Sequence, residues 1–452
     1  MTQLVGEHRV LQWIGGLPGR WEVAALGTRL RENKSSNKGM IETQVLSLSY
    51  GRVVVKPQEK LRGLVPASFE TYQILELGDI VIRPTDLQND HTSLRIGQST
   101  HRGIITSAYI AVRPQNGLDQ RYAAFLLSAY DFMKVFYGFG SGLRQNLDFK
   151  HIKHIPIPVP TLEEQRLIVR YLDNAELRIA QAISSKSLAV SRLRELRTVK
   201  IAKGILGTDG TKAVHPLLPY EVPEHWEIEP FWSVAPEVSI AGQVEKELLS
   251  VYLNRGVIRY SESGGQVHKP SLDLSAYQLV GPGDLVLNNQ QAWRGSVGVS
   301  RYEGIISPAY IICRLDDRFD TEYANLLFRS PVMVNQFEMS SRGVGSIQRQ
   351  MHRPTLRTIK VPVPPKSEQK EIASRLTEQI SGIDSAIEAL TSEISLLREY
   401  RTKLLSGVVT GKLDVREEAA KMSDVDPAEL AAALAGGSTS SETEEEDDDA
   451  ND

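Results

Sequence analysis

The clearest periodicity in the chain lies in its last quarter. Leu376, Ile380, Ile383, Ile387, Leu390, Ile394, Leu397 and Leu404 recur at spacings of four and three, with Arg401 breaking the series once. Apolar residues at that interval line one stripe of a helix, and so narrow a stripe is the seam of a coiled coil. A weaker stripe occupies the middle of the chain: Leu172, Ile179, Ile183, Val190 and Leu193, interrupted by Glu176, Lys186, Arg197 and Lys200. Thr161-Leu162-Glu163-Glu164 has the form of a capping box at its start. The later helix has Pro365 at the matching place, a residue suited to a first helical turn. Gly204 and Gly207 are placed to stop the first helix, and Gly407 and Gly411 the second. Each helix is then about 40 residues, roughly 60 Å at 1.5 Å per residue.

The stretch of about 150 residues before each helix reads as strands and turns. Val81-Ile82 and Val286-Leu287 follow Gly-Asp turn signals, and Tyr109-Ile110-Ala111-Val112 and Tyr310-Ile311-Ile312-Cys313 have the form of buried strands. Tyr122–Leu127 and Tyr323–Phe328 read as short helices, and Pro-x-Pro stretches close each globular part. These pairings are one pattern written twice. Trp21-Glu22 recurs as Trp226-Glu227, Gly78-Asp79-Ile80-Val81 as Gly283-Asp284-Leu285-Val286, and Gly103-Ile104-Ile105-Thr106-Ser107-Ala108-Tyr109 as Gly304-Ile305-Ile306-Ser307-Pro308-Ala309-Tyr310. Ile157-Pro158-Val159-Pro160 with Glu164-Gln165 recurs as Val361-Pro362-Val363-Pro364 with Glu368-Gln369. The order is kept throughout, which is the mark of a duplicated domain.

The expected class is therefore α+β: two duplicated globular domains separated by two long helices packed as an antiparallel intrachain coiled coil. The segments are 1–160 and 213–365 for the globular domains, 161–212 and 366–416 for the helices, and 417–452 for an acidic disordered tail. A heptad seam alone also fits self-association of two chains. One helix per half, in equal lengths, favours pairing within the chain, which would hold the domains at opposite ends under a pseudo-two-fold axis.

Charge refines this picture. Residues 417–452 hold one basic residue against thirteen acidic ones, so the net −4 of the chain conceals +8 over the rest. That mild excess fits a nucleic-acid binder without requiring one. Glu444–Asp449 is a continuous acidic run in a segment without aromatics, which cannot bury enough surface to fold. Cys313 is the only cysteine, excluding an intrachain disulfide or a multi-cysteine zinc site. No apolar run approaches the ~18–20 residues of a membrane span, and the N-terminus lacks a signal-peptide layout, so the cytoplasm is expected.

The duplicated Gly-Asp, Gly-Ile-Ile and Pro-x-Pro…Glu-Gln motifs, each set followed by a long helix, resemble the specificity subunit of type I restriction-modification systems over roughly residues 11–415. The resemblance implies that the globular parts are target-recognition domains, each reading one half of a split site in double-stranded DNA. It implies that the helices are spacers that also dock two methyltransferase (modification) subunits, with restriction (motor-nuclease) subunits joining the assembly. No cofactor is then expected in this chain; S-adenosylmethionine, ATP and Mg would belong to the partner subunits. Two half-sites read from one DNA face should lie about one turn apart, roughly 34 Å.

Shared residues cannot encode unlike half-sites, so readout should sit in divergent loops. The loop after the first Gly-Asp strand offers Arg83, Gln88, Asn89, Arg95 and Gln98; the loop after the second offers Asn288, Asn289, Gln290, Gln291 and Arg294. Asn and Gln can pair bidentately with adenine, and Arg with guanine. Gly-rich stretches before the Pro-x-Pro ends add Arg144 and Gln145 in the first half and Gln348 and Arg349 in the second, where glycine permits close approach to phosphates. Lys34, Lys38, Lys56, Lys60 and Arg62 are candidate phosphate contacts or simply a solvated face. Catalytic residues are not expected: no Asn/Asp-Pro-Pro-aromatic methyltransferase motif and no phosphate-binding loop is present, and His151 and His154 have no cysteine near and only Asp148 as a nearby carboxylate. The competing readings are a coiled-coil protein scaffold without DNA specificity and a cryptic nuclease.

Overall fold

The Pro-x-Pro stretches are strands, and each pairs with a partner far back in the sequence. β1 (Glu22–Ala25) runs antiparallel to Pro156–Val159, and Glu227–Pro230 runs antiparallel to Lys360–Val363. Proline is tolerated because both pairs are two-stranded sheets, whose outer edge asks for no donor. The computed structural model describes residues 17–49, 51–57, 68–85, 87, 94–139, 146–207, 212–214, 218, 220–253, 255–262, 270–344 and 348–436. The chain forms two units: unit 1 is Met1–Lys186 with Glu393–Ser441, and unit 2 is Ser187–Ser392 with Glu442–Asp452.

In unit 1, β2 (Leu30–Asn33), β3 (Leu46–Ser49), β4 (Arg52–Val55), β5 (Gln73–Leu75), β6 (Ile80–Ile82), β7 (Ile96–Gln98), β8 (Gly103–Ile105) and β9 (Ile110–Pro114) precede the helix Gln120–Phe132 and β10 (Pro156–Val159). The main sheet has the order β2-β9-β6-β7, with β3-β4 as a hairpin and β5-β8 as a separate antiparallel pair. Unit 2 opens with β11 (Lys212–Val214), β12 (Glu221–Pro223) and β13 (Glu227–Pro230) and then repeats this with β14 (Glu237–Val238), β15 (Leu249–Tyr252), β16 (Gly256–Arg259), β17 (Gln278–Val280), β18 (Asp284–Asn288), β19 (Val297–Val299), β20 (Gly304–Ile306) and β21 (Tyr310–Arg314). There the order is β14-β21-β18-β19, with β15-β16 and β17-β20. Even the isolated parallel bridges correspond, Val45 with Ile104 and Leu248 with Ile305.

The repeated motifs are the joints of this frame. Gly78 and Gly283 sit at φ +88° and +89°, a conformation that glycine reaches without strain. The following Asp79 and Asp284 are buried, and each accepts the backbone N–H three residues back, of Glu76 and Gly281. Arg113 and Arg314 on the next strand pair with those carboxylates at 2.7 and 3.3 Å. The Glu-Gln pairs are equally structural. Glu164 accepts the Trp21 indole N–H and Glu368 that of Trp226. The Gln165 carboxamide accepts from Asp119 N and donates to the Gly117 and Pro160 carbonyls; Gln369 accepts from Asp320 N and donates to Arg318 and Pro364. Thr161 caps its helix through Glu164 N, but the Glu164 side chain turns to Arg20 and Trp21, so the capping box is only half formed.

The first long helix is Leu162–Gly204 and the second Lys366–Val409. Inside unit 1 their portions pair antiparallel: Glu176 faces Arg401, Lys186 faces Glu393, and Ile179 and Ile183 pack on Ile394 and Leu397. Inside unit 2, Arg197 pairs with Asp384 and Gly204 lies under Leu376, again with one number rising as the other falls. Most seam positions are buried, among them Leu172, Val190, Ile380 and Ile383, while Leu193, Ile387 and Leu390 are half-buried. Three of the four charges that interrupt the first stripe thus meet an opposite charge on the second helix, and Glu176 meets the one residue, Arg401, that breaks the second.

Two expectations are corrected. The second helix runs through Gly407 and stops at Val409, because the missing Cβ at Gly407 leaves room for Leu413; the turn comes at Gly411, φ +70°. The segment after residue 416 is not wholly a disordered tail. Arg416–Ala420 and residues 427–436 are helical; Ala419 and Leu430 are buried, Asp424 pairs with Arg170, and Ser423 O accepts from Asn174. The acidic run at 444–449 lies outside the described residues.

Candidate nucleic-acid interface

In unit 2, β18 ends at Asn288, whose Oδ1 accepts the N–H groups of Gln290 and Gln291. This Asx turn leads into one turn of 3-10 helix, Ala292–Arg294, closed by Gly295 at φ +101° before β19. Ala292 is fully buried and Gln291 nearly so, and the Gln291 carbonyl accepts from Arg294 N and Ser296 N. The Trp293 indole donates to Gln290 O. Asn288 and Gln291 therefore build the turn, and Gln290 is left exposed at its apex.

Against this turn lies the hairpin β22 (Ser341–Val344) and β23 (Gln348–Met351), tied on by Met351 N to Asn289 O. Arg349 stacks over the Trp293 ring at 4.8 Å and pairs with Glu338 at 3.1 Å; Arg294 lies 5.8 Å from the same ring. Arg342 and Gln350, opposite each other on the hairpin, are exposed. The backbone of Gln348 pairs with Val344. Two segments singled out separately in the sequence thus form one surface rich in guanidinium and amide groups.

Unit 1 has the same stitch: Leu147 N donates to Pro84 O, joining the stretch before β10 to the loop after β6. The side chains differ. Arg83 is half-buried at the strand end, and Gln98 lies in β7 opposite Ile80. Gln88, Asn89, Arg144 and Gln145 lie outside the described residues, as do Lys60 and Arg62. Lys34, Lys38 and Lys56 are exposed. Arg95 is corrected as a candidate base reader. It is 0% exposed, its guanidinium donates to Tyr137 Oη and to the Arg83 and Thr85 carbonyls, and its N–H meets Asp131. An arginine buried in that way holds the loop's shape and has no path to a groove. His151 acts locally, accepting from Asp148 N at a short helix start.

Sequence reasoning passed over Trp293 and Glu338. A lone tryptophan among amides was the available signal, since a large ring there has to pack on something. Nothing local marked Glu338 as the partner of Arg349.

Among the described residues no helix is long and apolar enough to cross a membrane. The family model described as "Type I restriction modification DNA specificity domain" matches residues 103–186 and 292–395, one stretch in each repeat. The chain is 24% identical over 427 residues to the type I restriction enzyme MjaVIII specificity subunit of Methanocaldococcus jannaschii, covering 88% of this chain and 94% of that one. It is 22% identical over 428 residues to the putative type I restriction enzyme MjaX specificity subunit of the same organism, covering 89% and 96%. A chain from a structure concerned with complex assembly and conformational transition of the type I R-M system shares the fold, with a TM-score of 0.58 at 15% identity over 88% of this chain and 99% of that one.

Proposed function

We propose, for a chain that belongs to the family of type I restriction-modification specificity subunits, that unit 1 and unit 2 each read one half of a bipartite site in double-stranded DNA. The observation that carries this reading is the shared frame with unlike surfaces. Both units stitch a loop after the Gly-Asp strand to the stretch before the Pro-x-Pro strand, by Leu147 to Pro84 and Met351 to Asn289. One surface presents Gln290, Arg294 and Arg349, whereas in the other Arg95 is sequestered and Arg83 is half-buried. Equal frames deliver equal docking to the phosphate backbone; unequal side chains deliver different bases.

The long helices then set the spacer between half-sites and dock two methyltransferase subunits, with restriction subunits completing the assembly. This chain supplies specificity and not catalysis. S-adenosylmethionine, ATP and Mg serve in the partners, and the work on chromosomal and invading DNA takes place in the cytoplasm. The test is methylome sequencing of cells expressing the full chain with a methyltransferase partner, together with duplex binding at graded salt. The expected result is one split motif with two different halves and affinity that falls steeply with salt. Absence of duplex affinity at low salt, with no split motif methylated, overturns the reading in favour of a protein scaffold.

A further inference from the structure

Arg349 and Trp293 come from separate segments and meet at the seam between turn and hairpin. The Trp293 ring is fixed by its own indole N–H on Gln290 O, and Gln290 N is fixed by Asn288. The ring is therefore a rigid platform. Arg349 lies over its face at 4.8 Å, and Glu338 holds the edge of the guanidinium through Nη1 at 3.1 Å. Stacking occupies the face of a guanidinium and consumes none of its in-plane N–H donors. The side chain keeps 31% exposure, against 0% for Arg95. Unit 1 has a comparable aromatic flanked by cations, Tyr137 with Arg95 at 5.3 Å and Lys134 at 4.6 Å, but there the guanidinium is sealed inside.

We infer that Arg349 is a specificity-determining residue that recognises a guanine of the half-site read by unit 2, and that Trp293 is its positioning residue. This rests on the reading of unit 2 as a DNA reader. A planar fork stacked on a fixed ring and anchored by Glu338 is oriented before DNA arrives, and guanine offers the matching O6 and N7 acceptors in the major groove. Holding it before binding removes the rotamer cost that a loose arginine meets on docking. Arg95, sealed beside Tyr137, does not offer unit 1 the same stacked fork, so the recognition assigned to Arg349 concerns the half-site read by unit 2.

The full chain, co-expressed with its methyltransferase partner, is compared as wild type, Arg349→Ala, Arg349→Lys, Trp293→Ala and Trp293→Phe. Methylated motifs and binding to duplexes with single base-pair changes are read out, with melting temperature as the check on folding. Arg349→Ala is expected to relax one G·C position of the second half-site, with a roughly 10- to 100-fold loss of preference there and the first half-site unchanged. Arg349→Lys, keeping charge but losing the fork, is expected to behave like Ala at that position. Trp293→Ala should relax the same position less, and Trp293→Phe should restore most of the preference. If Arg349→Ala weakens all sequences equally and lowers the salt slope by about one, the residue is a phosphate contact and the inference falls. It falls too if the motif is unchanged. A Trp293→Ala protein with lowered melting temperature and unchanged base preference removes the positioning role. Should the wild type methylate no split motif, the underlying reading fails first, so the two failures are told apart.

Discussion

Gly411 shows how much one missing side chain can decide. Its φ is +70°, and a Cβ there would lie 2.5 Å from Pro18 Cδ, beside Trp21. Gly207 in unit 2 has φ +72° and meets Pro223 and Trp226. Gly411→Ala is therefore expected to cost unit 1 about 2–4 kcal/mol, from left-handed strain and overlap together, as read by urea denaturation. Arg329 in unit 2 should show the opposite sign. Burial lowers its guanidinium to about 10, the Arg197 charge adds to this, and Asp384 only partly offsets it. Its Nε has no hydrogen-bond partner among the described residues. A folded value below the unfolded one means that folding penalises the charged form. The penalty is complete below about pH 10 and fades as pH rises toward the ordinary arginine value. Arg329→Met is thus expected to raise stability by about 1–3 kcal/mol at pH 7, with the gain shrinking above pH 10; thermal melts across pH check it. Burial likewise pushes the Cys313 thiol up, so a thiol reagent should label it only after unfolding. At this scale the sequence made residue types legible but not their allegiance. Arg95 and Arg349 look alike in a loop, and only the packing of Tyr137 and Asp131 against one, and of Trp293 and Glu338 against the other, separates them.

Elements were more legible, because periodicity needs no knowledge of distant partners. Both long helices, the Gly-Asp turns and the buried strands around Ile80 and Leu285 could be read from local pattern. What could not be read was pairing: β1 meets β10 across more than a hundred residues, and the helical stretch near Ala419 and Leu430 had a composition that argued for disorder. The charges Glu176, Lys186, Arg197 and Arg401 were visible in the helical stripes as defects, whereas in the fold each has a partner on the other helix. Glu176 is 7% exposed in its side chain and pairs with Arg401 at 2.7 Å. Such a pair fixes register more than it adds stability. Glu176→Ala alone is expected to cost about 1–2 kcal/mol. Glu176→Leu combined with Arg401→Leu should match or exceed the wild type in a denaturation cycle, with register heterogeneity appearing in disulfide trapping along the seam.

For the whole molecule, duplication was the decisive legible fact, and it yields two separable expectations. Removing one heptad from residues 376–404 together with the matching stretch of the first long helix should change the preferred spacer and leave the half-site bases intact. Replacing residues 213–365 by the same region of a relative should change one half-site only. Methylome sequencing reads both; altered bases in the first case, or change in both halves in the second, would contradict independent readers on a helical spacer.

The composition of unit 1 also bears on its birth. Its main core closes with Leu404, Leu405, Val408, Val409 and Val415, residues translated after the whole described core of unit 2, which is drawn from one continuous stretch. At ribosomal speeds of about 5–20 residues per second, the first-made domain waits roughly 10–40 s for the helix that completes it, while the later-made one can close as it emerges. The order of maturation therefore runs against the order of synthesis. A nascent chain stalled near residue 400 should display a protease-resistant second half and a digestible first.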